Sequence, residues 1–340
     1  SLFVFQISRR KFPPSLMLRI YLLAAALLLT QFLLAQSADI APAVQSALQR
    51  AASDEERIPC ILLLRQQADL SAAAKQPNKA AKARYVFAQL QRTAQQTQAP
   101  LLQTLQALPQ SAQQERQAFY IVNAIAVRLR PSEIRHLQQT RLDIARILPS
   151  LPIQAHQPPR NLPNNSSLSR SSDTLTWGIE RIQAERLWAL GIKGNGVIIG
   201  GQDTGYDWLH PAISEQYRGN NAHNSPNHNH NWHDAIHGKH PLNQDSLNPC
   251  GFNALAPCDD GSHGTHTMGT MVGSKADSTR IGVAPDAQWI GCRNMERGWG
   301  TPETYIECFQ WFLAPTNLEG NNPQPELAPH VINNSWGCPP

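Results

Sequence analysis

The stretch Gly196-Val-Ile-Ile-Gly-Gly-Gln-Asp203-Thr-Gly205 constrains the fold more than any other part of the chain. It is a short apolar run that ends abruptly in an acidic residue and a tight-turn pair, which reads as a buried strand. Strands buried on both faces belong to parallel sheets covered by helices. From Trp177 onward Gly and Trp become frequent and short apolar runs alternate with helical patterns, as such a sheet requires. The expected fold is therefore α/β, a largely parallel sheet with helices on both faces. Sites in open sheets of this kind sit at the C-terminal ends of strands, which makes Asp203 a candidate. Taken alone, it reads at least as well as a turn-former.

The Gly-rich strand end invites two other readings. A dinucleotide site needs its glycines after the strand, but Gly194-Asn-Gly196 precedes it and no GxGxxG follows. Asp-Thr-Gly is also the signature of aspartic proteases, which need two carboxylates sharing one site. A single such triplet would require a homodimer.

The stretch Ser262-His263-Gly264-Thr265-His266-Thr-Met-Gly269-Thr-Met-Val-Gly273 decides among them. It suits a helix opening at His263, capped by Ser262 and kept slim by Gly264, Gly269 and Gly273. A strand ending in Asp-Thr-Gly followed by His-Gly-Thr-His resembles the subtilisin-like serine proteases (peptidase S8, subtilases), whose chain order is Asp, His, Ser. The resemblance implies serine endopeptidase activity, with Asp203 as the orienting acid, His263 as the general base and His266 as a structural residue. Asp203 and His263 lie farther apart than in simple members of the family, which implies an insertion. That insertion holds His223, His228, His230, His233, His237 and His240 in an Asn-rich setting. His233 and His237 lie four apart, but no flanking carboxylate completes an HExxH pattern, so it reads as a surface loop and no metal ligand is assigned. Its wording, Asn231-Trp-His-Asp-Ala-Ile-His237 with Asn248-Pro-Cys250 and Pro257-Cys-Asp-Asp260, looks most like the bacillopeptidase F-like branch.

The same resemblance assigns substrate binding to two later segments. Gly298, Trp299 and Gly300 match the edge that pairs with a bound peptide, and Ser335, Trp336 and Gly337, at the end of a strand from His330, line the first substrate pocket. Calcium is possible by family resemblance only, with no matching ligand set, and no other cofactor is implied. Asn333 and Asn334 are not the family's oxyanion Asn, which sits in a later Ala-Gly-Asn segment. No Gly-Thr-Ser follows either, and Ser274, Ser278 and Ser335 stand in other contexts. The expectation is a chain truncated before the oxyanion Asn and the catalytic Ser, with an incomplete sheet and no activity by itself. The rival is a protease-like binding scaffold, or a pseudogene fragment, that lacks the serine.

Residues 38–155 have a different texture, rich in Gln, Ala, Leu and Arg, without Trp. Pro59 to Leu64 reads as a strand, Lys79 to Thr97 as a helix, and Pro100 to Leu108 as a second helix. Asn123 to Arg130 alternates like a half-buried strand with Ile125, Val127 and Leu129 on one face. Pro131 opens a helix, and Ile144 to Ile153 returns as a strand. Ahead of a subtilase, this small α+β unit resembles the family's inhibitory propeptide, with Leu148 to Gln154 as the tail that enters the substrate groove. Residues 156–176, rich in Pro, Asn and Ser, form a linker and processing region, and 177–340 the N-terminal part of the catalytic domain. Residues 1–37 read as a signal peptide region starting at Met17, with Arg19, an apolar run from Tyr21 to Leu34, and Ala35-Gln36-Ser37 as the exit. That run falls short of the roughly 20 residues that cross a bilayer. A secreted or periplasmic protein is expected, without a stable membrane span after cleavage. Six cysteines fit an oxidising compartment, with Cys250 and Cys258 the one candidate pair. The net charge of +4 is dispersed, which argues against a nucleic-acid partner and leaves peptides and proteins as substrates.

Overall fold

The computed structural model describes residues 37–108, 116–154, 175–220, 225–243, 247–274 and 281–337. The signal region expected over 1–37 and the linker expected over 156–176 lie almost wholly outside them. Among the described residues no helix is long and apolar enough to cross a membrane.

The leading unit runs β1 (Asp39–Ile40), α1 (Pro42–Arg50), β2 (Ile58–Leu64), α2 (Lys79–Gln106), β3 (Gln117–Phe119), β4 (Ala124–Leu129), α3 (Pro131–Thr140) and β5 (Ile144–Pro149). Its sheet has the order β1-β5-β2-β4-β3, with β1 parallel to β5 and the other neighbours antiparallel. Ile125, Val127 and Leu129 face the helices and pack with Leu62, Leu101, Leu105, Ile134 and Leu137. The alternation in β4 is therefore real, but the strand is not half-exposed. Ala124 and Ala126 on its other face are buried with Ile61 and Phe119, because a helix of the second unit lies across them through Ile306. The two helices expected around Pro100 are one, since α2 runs through it. Pro100 costs the helix one amide bond, yet Leu101 and Leu105 just beyond it are fully buried and hold the helix on the sheet.

After β6 (Ile153–Gln154) come two short helices, α4 (Trp177–Ile182) and α5 (Ala184–Ala189), and then a parallel sheet, one strand of which lies within the insertion read as a surface loop. It comprises β7 (Ile198–Asp203), β8 (Trp232–Asp234), β9 (Gln288–Arg293) and a last strand, Val331–Asn334, in the order last-β7-β9-β8. Every pairing in it is parallel. Alternate residues of β7 and β9 feed opposite layers. Ile199 and Trp289 pack with Met268 and Val272 of α6 (His263–Val272), while Ile198 and Ile290 pack with Cys308, Trp311 and Phe312 of α7 (Pro302–Leu313). Helices thus cover both faces, as expected. Between β9 and α7 the chain forms a hairpin of β10 (Met295–Glu296) and β11 (Trp299–Gly300), and β6 joins β11 as a third strand. In chain order the last strand is β12.

Two disulfides are formed. Cys250–Cys258 closes the insertion loop, and Cys292–Cys308 ties β9 to α7. The second pairing had no sequence signal, because it depends on α7 returning over the sheet. Cys60 is buried, and burial pushes its thiol up to about 12, which leaves it protonated and inert.

Candidate active site

Asp203 ends β7 and His263 opens α6, and the parallel sheet brings them together. His263 Nδ1 lies 2.8 Å from Asp203 Oδ1 and 2.9 Å from Oδ2. Asp203 is 1% exposed, and its carboxylate also accepts from Thr204 N at 2.7 Å and Thr267 Oγ1 at 3.4 Å. The bond to Asp203 raises the pKa of His263 against the opposing effect of burial, with the negative charges of Asp203 and Asp259 adding to the rise. Nδ1 faces the carboxylate, so a proton held there leaves Nε2 as the basic edge of the ring.

Close approach of the two elements needs glycine at Gly205 and Gly264. A Cβ on Gly264 would stand 2.0 Å from Gly205 O and 3.1 Å from Asp203 Cβ, and Gly205, at φ 108°, is pressed against Cys258 O. Ser262 does not cap α6 as expected. It adopts a left-handed conformation without a side-chain cap bond. Asp259 takes that part. Its Oδ2 accepts from Thr265 N at 2.8 Å, and its Oδ1 accepts from Ser262 N at 2.8 Å, Gly261 N at 3.0 Å and Thr204 Oγ1 at 2.7 Å. One carboxylate thereby fixes both the turn after Asp203 and the first turn of the His263 helix. Gly269 has nothing within 4 Å of a built Cβ, so it is not the slim contact expected, whereas Gly273 is crowded by Gly269 O and Ile281. His266 is exposed and lines a cleft of about 1000 Å³ with Trp208, His210 and Ile281. Neither Asp203 nor His263 lines that cleft.

The insertion is more deeply packed than a surface loop. His228 Nδ1 lies 2.9 Å from Tyr217 Oη, and its ring meets Trp208 edge-on. His233 Nε2 is 2.7 Å and His237 Nε2 2.9 Å from Glu307 Oε1. The carboxylate missing from the local pattern of the two histidines is thus supplied by α7. Burial pushes Glu307 upward, but the hydrogen bonds from His233 and His237 outweigh it and hold the group down to about 2. His237 rises to about 9, through its bond to Glu307 and against burial. Among the described residues no group of three or more His, Cys, Asp or Glu side chains is arranged to hold a metal ion.

Of the segments assigned to substrate binding, one lies in the hairpin that follows β9 and the other follows β12, the strand that pairs with β7. Trp299 and Gly300 form β11, which pairs antiparallel with β6, Gln154 opposite Trp299 and Ile153 opposite Gly300. Gly298 sits in the turn before it at φ 84°. Trp336 stacks on Tyr305 with centroids 4.5 Å apart, and the two enclose Ile153 with Met295. Ser335 Oγ accepts from Asn333 Nδ2 at 2.8 Å, Asn334 Oδ1 accepts from Gln202 Nε2 at 2.6 Å, and Gly337 follows at the end of β12.

The residues that hold the leading unit on the second escaped sequence reasoning. Lys79 of α2 bonds the carbonyl of Ala328, and others line one face of α7: Glu303 bonds Ser150, Glu307 accepts from Gln117 Nε2 at 2.6 Å, and Gln310 Oε1 accepts from Tyr120 N at 2.7 Å. Only their spacing along α7, at steps of four and three, could have marked them.

A parallel α/β sheet that presents a buried carboxylate and a helix-borne imidazole at its strand ends has the layout of a triad hydrolase. Comparison narrows this: residues 194–339 match the Subtilase family, Peptidase S8, and this segment is a subtilase domain. Bacillopeptidase F of Bacillus subtilis (strain 168) is 34% identical over 313 residues, covering 86% of this chain and 21% of that protein. The major intracellular serine protease of the same strain is 28% identical over 164 residues, 46% of this chain and 44% of that protein. The chain therefore spans about a fifth of the first and less than half of the second. Among solved structures, fervidolysin from Fervidobacterium pennivorans, a keratinolytic enzyme related to subtilisin, is 16% identical, with a TM-score of 0.42 over 88% of this chain and 38% of its own.

Proposed function

We propose that these residues belong to an exported subtilase precursor, a serine endopeptidase that cleaves protein or peptide substrates by acyl transfer. Asp203 is its orienting acid and His263 its general base, and the serine and oxyanion Asn are supplied by sequence beyond residue 340. The observation that carries the reading is the 2.8 Å contact of His263 Nδ1 with the buried Asp203 carboxylate. Such a carboxylate fixes the tautomer that leaves Nε2 free to take the nucleophile's proton, and stabilises the imidazolium that forms. Residues 38–155 act as the propeptide and intramolecular inhibitor. Their support is β6, which lies along β11 where a substrate strand would add, and the row of bonds along α7. Export to the cell exterior or periplasm rests on the signal-like 1–37 and on the two disulfides, which fit an oxidising compartment.

The test uses protein expressed from the complete reading frame. Asp203→Asn should lower kcat by roughly 10⁴-fold while the protein still folds, the loss typical of neutralising a triad acid. A variant within tenfold of wild type would remove Asp203 from this role.

A further inference from the structure

The insertion wraps the hairpin that offers β11 to a peptide. Glu296 of β10, 1% exposed, accepts from the backbone N of His240 at 2.5 Å and from Asn243 Nδ2 at 2.9 Å. At the turn, Asp260 Oδ1 accepts from Arg297 N at 2.9 Å. The turn between β10 and β11 is thus bonded at two successive residues to the insertion. Its next residue, Trp299, has a partner from the same loop. The ring of His240 lies parallel to the Trp299 indole, with centroids 5.7 Å apart and planes 11° apart. His240 Nδ1 accepts from Leu242 N at 3.2 Å, which puts the ring proton on Nε2, and Nε2 is buried with no partner among the described residues. Burial lowers the pKa of His240 against the pull of Glu296, so the ring is a neutral plate under the indole.

The register of the added strand shows what the indole faces. Directly opposed residues of an antiparallel pair share one face of the sheet, with Cβ atoms about 4.5 to 5.5 Å apart. Ile153, opposite Gly300, packs with Met295, Tyr305 and Trp336. The next residue, Gln154, points to the other face by the alternation of a strand, and Trp299 is its cross-strand neighbour. The edge therefore has two recognition faces, one apolar and enclosed, the other a single indole backed by an imidazole.

We infer that Trp299, held flat by His240, forms a second subsite on β11, which takes the side chain of the strand residue opposite it and prefers a flat polar group, a carboxamide or guanidinium, that can stack on indole. The inference rests on the reading of β11 as the peptide-binding edge. A planar guanidinium or amide keeps its edge in water while covering an aromatic face, which a hydroxyl or a β-branched group cannot do. His240 acts here as a positioning residue, through Trp299.

Amide hydrogen exchange of segment 150–154 in the 340-residue chain tests this without depending on activity. Cross-strand pairs of this kind are worth about two- to fivefold in an equilibrium. Gln154→Ser and Trp299→Ala should each speed exchange of the segment by about that factor, and the double variant should be no faster than either single. Gln154→Arg should keep wild-type protection. His240→Ala should match Trp299→Ala, and His240→Phe, which restores a plate, should match wild type. Ile153→Ser should speed exchange equally in every background, because it reports the other face. Additive effects of Gln154→Ser and Trp299→Ala, or wild-type exchange in His240→Ala, would overturn the subsite alone. If the wild-type segment exchanges without protection, β11 does not hold a strand, and the edge reading falls with the subsite. Should His240→Ala misfold, the Gln154 changes, made at an exposed residue, still decide the matter.

Discussion

His237 stands between two acceptors: Nδ1 lies 2.6 Å from Asn253 Oδ1 and Nε2 2.9 Å from Glu307 Oε1. A neutral ring carries one proton and satisfies one of them; the imidazolium satisfies both. Its pKa is raised to about 9 from an ordinary value of 6.5, so its stabilisation is complete below about pH 6.5 and fades as pH rises through about 9. With the side chain 51% exposed, solvent screening keeps the effect modest. Melting temperatures taken from pH 6 to pH 10 should fall more steeply for wild type than for His237→Asn, and parallel curves would show that the pair contributes nothing. Residues whose geometry is local were readable in advance. Asp203 is marked by the strand that stops at it, and His263 by the small residues around it. Glu307 and the His240–Trp299 stack had no such mark, since each takes its meaning from a partner tens of residues away. Ser262 was misread for a related reason: a good capping side chain was present, but the left-handed backbone there turns it away and leaves the work to Asp259.

Among the elements, α7 joins the two units. One side packs on the parallel sheet through Cys308, Trp311 and Phe312, and the other receives the leading unit through Glu303, Ile306, Glu307 and Gln310. The Cys292–Cys308 disulfide pins it to β9 across a sequence separation of 16. Loop closure of that length restricts the unfolded chain by about 3 kcal/mol. The double variant Cys292→Ser, Cys308→Ser should lose about 2 to 4 kcal/mol in denaturant unfolding, and an unchanged midpoint would mean that packing alone holds the helix. The central strands β2, β4, β5, β7 and β9 and the helices α3, α6 and α7 were legible because their apolar periods are strong, whereas the short β1, β3, β8 and β10 and the helices α1, α4 and α5 were not. Nor were two details. Burial of the second face of β4 depends on α7 lying across it, and the continuity of α2 through Pro100 depends on the grip of Leu101 and Leu105 on the sheet beyond.

At the scale of the whole molecule, the leading unit covers α7 and lends a strand to β11, which the proposed propeptide role requires. Processing should remove it. N-terminal sequencing of the secreted, active form should give a terminus within 155–176, whereas active enzyme that begins at Ala38 would contradict a propeptide role. The relation between the two units was foreseeable only as far as the tail, because the face of α7 reads as an ordinary solvated helix until Gln117 and Tyr120 are brought against it. The central claim, that Asp203 and His263 activate a serine supplied beyond residue 340, is tested most directly by a fluorophosphonate probe on protein made from the complete reading frame. The account expects one labelled serine beyond residue 340, with labelling lost in His263→Ala and absent from the 340-residue chain. No labelling of the complete protein, or labelling indifferent to His263, would contradict it.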